Sequence, residues 1–221
     1  MVPKTVMIFL EGLKANNSRD WFNENKDNYL QALKSYDNIL EQLISSVGLF
    51  DDEVVGLKPK DAIFRIYRDV RFSHDKSPYK THFGAYLARG GRKSPSAGYY
   101  VHLEADGSVL AGGIWRPESE NLKKIRRAID LYHEEFLQIV SEKIFTKWFG
   151  KLSSDDALVR VPAGFSNDSP VANYLRMKSF TVGHTFTNRD VLEPNFEERV
   201  VEACRAMYRF NTFLREAIDE K

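Results

Sequence analysis

Residues 98–115, GYYVHLEADGSVLAGGIW, decide the fold class, because two strand-like runs flank a short turn motif. Apolar side chains alternate with polar or small ones in 99–104 and again in 109–115, which is the period of a half-buried strand. The Asp106-Gly107 pair between the runs is typical of a two-residue hairpin turn. The stretch therefore predicts an antiparallel hairpin.

One face of this predicted hairpin carries polar side chains beside small ones. With a two-residue turn, Tyr100 and His102 share that face with Ala111 and Gly113. Small residues leave space above a sheet, and Trp115 offers a wall on which a ligand can stack. A helix packed over the face could fill the same space, so a ligand cavity and a packed core remain alternatives.

Helical patterns occupy both ends of the chain. Ser18 is a favoured N-cap residue, and apolar residues recur at helical spacing from there until Gly48. The helical pattern returns after Pro117, with a break near 131–133, and again from about 194 to 219.

Extended segments lie between the helical ones. They are 64–72, 82–88, 158–165 and 179–186, together with the two runs of the hairpin. No internal repeat or long linker divides the chain. We therefore predict a single α+β domain over residues 1–221, with a largely antiparallel central sheet flanked by helices.

Positive charge is concentrated in one part of a nearly neutral chain. The 221 residues carry a formal net charge of +1, yet residues 58–93 contain 10 Lys or Arg against 3 Asp or Glu. A local patch suits a discrete anionic ligand better than the broad basic face of a non-specific DNA-binding protein. The pattern disfavours nucleic acid as a partner without excluding it.

The densest part of this patch is RIYRDVRFSHDKSPYKTHF at 65–83. Arg68 falls on the apolar side of the alternating pattern, so it is expected to point to the interior or into a cleft and to be bonded to a carboxylate, a carbonyl or a ligand. Guanidinium, ammonium and phenol groups that converge are what a phosphate or carboxylate requires. Ion pairing of the same cations with Asp69 and Asp75 is an equally good explanation.

Candidate site residues follow from the patch and the hairpin face. We expect Arg68, Arg71 and Lys80 to neutralise an anion, Tyr79 and Tyr100 to orient it, and Trp115 to stack on it. His102 and His82 are the candidates for a general acid or base. For His102 alone, a buried and hydrogen-bonded imidazole is the commoner alternative.

Other chemistries find little support. Adjacent side chains in extended structure point to opposite faces, so Ser73-His74-Asp75 is read as part of a turn and not as a triad. Metal ligands could come from His74, His82 and His102 with Asp69 or Asp75, but scattered histidines are weak evidence for a site. The motifs HExxH, CxxC and GxGxxG are absent, which predicts no metal site and no dinucleotide or other cofactor.

The expected location is the cytoplasm. The single cysteine, Cys204, falls in a helical pattern and is expected to be a buried structural thiol in a reducing compartment. The apolar run at 6–10 is too short for a signal peptide or a membrane span.

Four stretches together resemble one known family. They are FLEGLKANNSRDWFNENKDNY at 9–29, RIYRDVRFSHDKSPYKTHF at 65–83, GYYVHLEADGSVLAGGIWRPE at 98–118 and LRMKSF at 175–180. They are similar to the family of the domain of unknown function numbered 2461, known from bacteria and fungi. The resemblance implies a single domain over nearly the whole chain. It implies no activity, substrate or catalytic residues, because the family has none established.

Two functions remain open from the residues. The first is a soluble protein that binds a phosphorylated or other anionic ligand over its sheet, with or without catalysis. The second is a non-catalytic scaffold whose basic segment docks an acidic partner. A ligand site should be concave and partly closed to water, whereas a docking surface should be flat or convex.

Overall fold

The predicted hairpin belongs to a four-stranded antiparallel sheet, which confirms the α+β class. The structure is a computed structural model and describes residues 2–219. The strands, in their order across the sheet, are β1 (His82–Leu87), β2 (Gly98–Glu104), β3 (Ser108–Ile114) and β4 (Phe180–Phe186).

The turn between β2 and β3 differs from the predicted one. Three residues separate Glu104 from Ser108, and the Gly107 N–H donates to the Glu104 carbonyl at 3.4 Å. The left-handed backbone conformation falls on Asp106, whose φ is 67°. Asp tolerates this conformation, and Asn188 holds it by bonding both the backbone N–H and the carboxylate of Asp106. The predicted two-residue Asp106-Gly107 turn is therefore wrong by one position.

Helices form where apolar residues recur at helical spacing. Within the described residues they are α1 (Lys4–Ala15), α2 (Arg19–Glu24), α3 (Lys26–Val47), α4 (Pro59–Ala62), α5 (Ser119–Leu131), α6 (His133–Ser141), α7 (Lys143–Phe149), α8 (Ala172–Leu175), α9 (Asn188–Leu192) and α10 (Phe196–Asp219). Ser18 caps α2 as predicted, since its hydroxyl accepts from the Trp21 N–H, and Gly48 follows the end of α3.

Two segments predicted as extended are not strands of the sheet. In 64–72 only one isolated bridge occurs, between Tyr67 and Tyr79, and 158–165 is made of bends and turns. Alternating exposure does hold from Phe64 to Arg71, but Phe72 is exposed and ends it. The alternating sequence pattern in 64–71 therefore predicted which side chains are less exposed, but not whether the backbone forms the hydrogen bonds of a strand.

Contacts along the chain group it into two compact units, and a single domain over 1–221 stays a prediction. The first unit comprises 2–93, 100–110 and 185–202 among the described residues. The second unit comprises 94–99, 111–184 and 203–219. No helix in the part of the chain that the structure describes is long and apolar enough to cross a membrane.

Aromatic rings dominate the core of the first unit. Phe83 of β1 is stacked with Tyr36 of α3 at 5.4 Å between ring centroids and with Phe9 of α1 at 6.2 Å. The buried Tyr36 hydroxyl donates to the Val101 carbonyl at 2.8 Å. This bond ties α3 to β2 and satisfies a polar group that would be costly to bury alone.

The second unit buries its own aromatic cluster around Phe210 of α10, with Phe136 and Phe145 at 6.5 and 5.6 Å. Gly113 is needed here because a Cβ would lie 2.0 Å from the Phe180 carbonyl oxygen, and its φ is 98°. At Gly112 a Cβ would lie 2.0 Å from Met207 Sδ. Side chains of α10 thus fill the space beside these glycines, so the packed-core alternative is correct and the predicted cavity above Gly113 is wrong.

Candidate functional site

The first unit contains a cavity of about 770 Å³ that we call the basic cavity. It is lined by the charged side chains Lys34, Asp37, Lys60, Arg65, Lys80, Arg92 and Lys93, and by the mainly apolar Tyr29, Leu30, Leu33, Ile63, Phe64, Ile66 and Phe83. Six of the charged side chains are cations and only Asp37 is an anion.

Five parts of the first unit bring these residues together, and one of them is the start of β1 with Lys80 just before it. Helices α3 and α4 supply Lys34 and Lys60. The segment 63–66 runs beside β1, where the Phe64 N–H donates to the Gly84 carbonyl at 2.9 Å. The turn after β1 supplies Arg92 and its neighbour Lys93. Since the contributions are far apart in sequence, only the folded unit forms the cavity.

Backbone carbonyls fix two of the cations. The Lys80 ammonium donates to the Arg65 carbonyl at 2.9 Å and lies 5.5 Å from the centre of the Phe64 ring. Arg92 donates to the carbonyls of Lys60 and Asp61 at 2.8 and 3.1 Å. These bonds orient the cations without cancelling their charge.

Close backbone approach brings the Arg92 turn to α4. Gly91 has φ 64°, and a Cβ there would lie 2.4 Å from the Asp61 carbonyl oxygen. Only glycine permits both the left-handed backbone and this distance. Gly91 is therefore a structural requirement of the cavity wall.

None of the six cations forms an ion pair with a carboxylate among residues 2–219. Burial lowers the pKa of Lys80, and the positive charge of Arg65 lowers it further. Both causes disfavour the charged ammonium, and a bound anion would oppose them. The cavity therefore holds uncompensated positive charge.

The neighbouring residues 68–77, which we call the paired segment, behave differently. Arg68 forms an ion pair with Asp75, and Arg71 pairs with Asp69 at 2.7 Å. The Asp75 carboxylate also accepts from the backbone N–H and the hydroxyl of Ser77. These hydrogen bonds lower the pKa of Asp75, with a further contribution from Arg68. Ion pairing, the alternative to ligand binding, therefore accounts for both arginines.

The expectation for Arg68 is met only in part. Its guanidinium is bonded to a carboxylate as predicted, and its side chain is 27% exposed. Asp75 is 60% exposed, so the pair lies at the surface and not in the interior. Arg71 is 76% exposed and lies against Phe72, with the guanidinium 5.8 Å from the ring centre.

Tyr79 is part of the core. It is 4% exposed and stacked with Phe22 of α2 at 4.0 Å between centroids, with nearly parallel rings. Its backbone N–H and carbonyl both bond to the side chain of Asn17. These contacts give Tyr79 a structural role, and its part in ligand binding stays a prediction.

A second group of polar side chains, the imidazole cluster, lies on β1 and β2 of the first unit. It consists of Thr81, His82, Tyr100, His102 and Glu104. The Tyr100 hydroxyl lies 3.1 Å from His102 Nδ1, and His102 Nε2 lies 3.1 Å from a Glu104 oxygen. The His82 and His102 rings are stacked at 4.1 Å. Both predicted acid–base candidates therefore belong to one cluster.

Burial and neighbouring charges set the protonation of this cluster. Burial lowers the pKa of His82 to about 4, with a further lowering by His102 and Lys80 that Glu104 opposes. Burial would raise the pKa of Glu104, but bonds from Thr81 and His102 outweigh it and the net shift is downward. At neutral pH His82 is an uncharged imidazole beside a carboxylate.

Trp115 belongs to the second unit. Its side chain is 71% exposed, and the Arg116 guanidinium lies 4.9 Å from its ring centre. Of the six predicted ligand-binding residues, only Lys80 lines the basic cavity. The sequence did not single out the other lining cations Lys34, Lys60, Arg65, Arg92 and Lys93 as a set. The signal that could have found most of them is the excess of positive charge in 58–93.

Comparisons with known proteins give a family and no activity. The family model DUF2461, described as a conserved hypothetical protein, matches residues 5–213, nearly the whole chain. The chain therefore belongs to this family, which confirms the resemblance found in the sequence. Searches of curated proteins and of solved structures found no match.

Proposed function

We propose that this member of the DUF2461 family binds a phosphorylated or other anionic small ligand in its basic cavity. The observation that supports this most directly is the set of six lining cations, none of which is paired with a carboxylate in the described part of the chain. Like charges that are brought together without counter-charges repel, so an anion that neutralises them is stabilised.

The shape and lining of the cavity narrow the class of ligand. A volume of about 770 Å³ lies within the range of small-molecule sites. Phe64, Phe83 and Tyr29 provide apolar surface beside the cations. A phosphate ester with a planar or apolar group matches this lining better than a free inorganic anion does.

Binding is the activity that this arrangement supports. The imidazole cluster supplies His82 and His102, but a catalytic role would need a reacting ligand atom within hydrogen-bond reach of one of these rings. Catalysis by either histidine therefore remains a prediction additional to binding.

Calorimetric titration tests the proposal with two probes, inorganic pyrophosphate and adenosine monophosphate. The test variant is Lys60→Gln with Lys80→Gln, which removes two charges from the cavity. The matched control is Arg71→Gln with Lys76→Gln, which removes two charges from the paired segment. We expect the cavity variant to bind at least about tenfold more weakly, because it loses two charge-assisted contacts, and the control to bind like the wild type.

Equal losses in the two double variants would contradict the proposal, because they would report only the overall charge. If neither probe binds while an oligoglutamate peptide does, the scaffold alternative is favoured and the small-ligand proposal fails. Raising the salt concentration should weaken binding at the cavity less steeply than at an open surface.

A further inference from the structure

We propose that His82, His102 and Glu104 form a binding site for a divalent transition-metal ion. Each of the three offers one ligand atom, and these atoms all lie within 4.8 Å of one another. Metal–ligand bonds of about 2.0–2.2 Å place the ligand atoms of one ion about 3–4.4 Å apart, so small side-chain rotations bring the three to bonding distance.

The strands hold the three ligands on one surface. His102 and Glu104 are two residues apart on β2, so both point to the same face. His82 begins the neighbouring strand β1, and its ring is stacked on that of His102 at 4.1 Å. Ligands on paired strands are positioned more precisely than ligands on loops.

Two further side chains orient the ligands. The Thr81 hydroxyl donates to one oxygen of Glu104 at 2.6 Å, which leaves the other oxygen facing His102 Nε2 at 3.1 Å. The Tyr100 hydroxyl lies 3.1 Å from His102 Nδ1. Such partners fix the orientation of a metal ligand, and an oxygen that accepts from the N–H of a ligating imidazole also raises the basicity of that imidazole.

The tyrosine permits the proton change that metal binding needs. In one tautomer Tyr100 donates to Nδ1 of His102, and the Nε2–H donates to Glu104. In the other, Nδ1–H donates to the tyrosine oxygen and Nε2 presents a lone pair. The hydroxyl can act as donor or acceptor, so the imidazole can turn its free nitrogen to an ion without leaving a buried polar atom unpaired.

Two imidazoles and one carboxylate select the class of ion. This donor set binds Zn²⁺ and other first-row transition ions, whereas Ca²⁺ and Mg²⁺ prefer oxygen ligands. Three protein ligands leave at least one coordination position open. The His102 and Glu104 side chains are 14% and 25% exposed, so the ion would be shielded but reachable by a small molecule.

Motif spacing did not indicate this site, because its ligands lie on two strands and His82 and His102 are twenty residues apart. The sequence suggested these two histidines as possible metal ligands, but with Asp69 or Asp75 as the carboxylate and not with Glu104.

Titration of tag-free protein with CoCl₂ tests the proposal, because bound Co²⁺ with few ligands absorbs visible light and Zn²⁺ should displace it. We expect saturation at one Co²⁺ per chain and a rise in the melting temperature with ZnCl₂. His102→Gln and Glu104→Gln should each lose both signals, whereas His74→Gln, in an exposed loop, should keep them. Each variant is compared with its own metal-free melting temperature, so a less stable variant still reports whether Zn²⁺ stabilises it.

Tyr100→Phe separates a positioning role from a purely structural one. We expect it to bind Co²⁺ about 10- to 100-fold more weakly while keeping the same absorption bands, because the coordinating atoms are unchanged. Absence of saturable bands in the wild type would overturn the proposal. So would identical Co²⁺ affinity in the wild type, His102→Gln and Glu104→Gln.

Discussion

The paired segment takes its cations from the basic stretch, residues 58–93, and the basic cavity takes five of its six from the same stretch, yet the cations of the two regions have different partners. In the paired segment Arg68 and Arg71 each have a carboxylate within seven positions of sequence. In the cavity, the hydrogen-bond partners that Lys80 and Arg92 have among residues 2–219 are backbone carbonyls, which carry no net charge. Charge density in the sequence therefore does not predict which cations the fold leaves without a carboxylate partner.

Local structure explains the difference. An extended loop can turn back so that residues a few positions apart come into contact. The Ser77 N–H and hydroxyl donate to the Asp75 carboxylate and hold it where it pairs with Arg68. The cavity cations instead come from α3, α4, the segment 63–66, the residues just before β1 and the turn around Gly91. Backbone carbonyls orient two of them, Lys80 and Arg92. Only Asp37 offers a carboxylate on that wall.

The largest expected effect is a loss of stability at Tyr79, a residue of the basic stretch that lies in the core and not in the basic cavity. Tyr79→Ala should lower the free energy of unfolding by about 3–5 kcal/mol, because it removes a buried ring stacked on Phe22. Chemical denaturation measures this loss. Tyr79→Phe keeps the ring and should change both stability and pyrophosphate affinity little. A strong loss of pyrophosphate affinity in Tyr79→Phe would mean that the Tyr79 hydroxyl contacts the ligand.

The next effect tests whether cavity charge reaches the imidazole cluster. In metal-free protein, nuclear magnetic resonance should give His82 a pKa of about 4, lowered mainly by burial and further by His102 and Lys80. Lys80→Gln should raise this pKa, and bound pyrophosphate should shift it in the same direction. A pKa near 6.5 in the wild type would contradict the assignment of a half-buried, neutral ring.

The same shift makes stability depend on pH. The folded state binds a proton at His82 less readily than the unfolded state does. The contribution of neutral His82 to the free energy of unfolding is therefore fully present above pH 6.5 and is lost as the pH falls through about 4. The full difference corresponds to about 3 kcal/mol, and screening by solvent reduces it to about 1–2 kcal/mol. Denaturation of the wild type and His82→Gln from pH 4 to 7 measures it. If the free energy of unfolding changed with pH in the same way in both proteins, this contribution of His82 would be contradicted.

The smallest effect is expected in the paired segment. Arg68→Gln should shift the melting temperature by only about 2 °C or less, because its partner Asp75 is exposed and surface ion pairs contribute little. Calorimetry measures this shift. The matched substitution Arg65→Gln in the cavity removes a charge that repels Lys80 and should not destabilise the protein. A large loss of stability in Arg68→Gln would mean that the pair is buried and that the two regions differ less than their geometry indicates.

The sequence predicted secondary structure well where periodicity and capping act locally. The cap at Ser18, the end of α3 before Gly48 and the strand on either side of the Asp106 turn all follow from short-range preferences. It failed at 64–72, where burial alternates although the segment makes only scattered backbone bonds to 78–84 and one isolated bridge, because alternating burial does not require a regular strand.

The site could be predicted only coarsely from sequence. The excess of positive charge in 58–93 identified the part of the chain that supplies most of the cavity cations. The partner of each cation, however, depends on which carboxylate or carbonyl the folded chain brings next to it. Arg71 and Lys80 look equivalent in sequence, yet one meets Asp69 and the other meets the Arg65 carbonyl. Lys34 lies outside the basic stretch, and only the packing of α3 brings it to the cavity.

Anomalous diffraction from crystals soaked in sodium selenate would show where an anion binds, because selenium locates the anion without reference to a function. We expect an anomalous peak within hydrogen-bonding reach of cavity cations such as Lys60, Lys80 or Arg92, and none beside Arg68 or Arg71. A peak beside Arg68 or Arg71 with none in the cavity would contradict anion binding in the basic cavity.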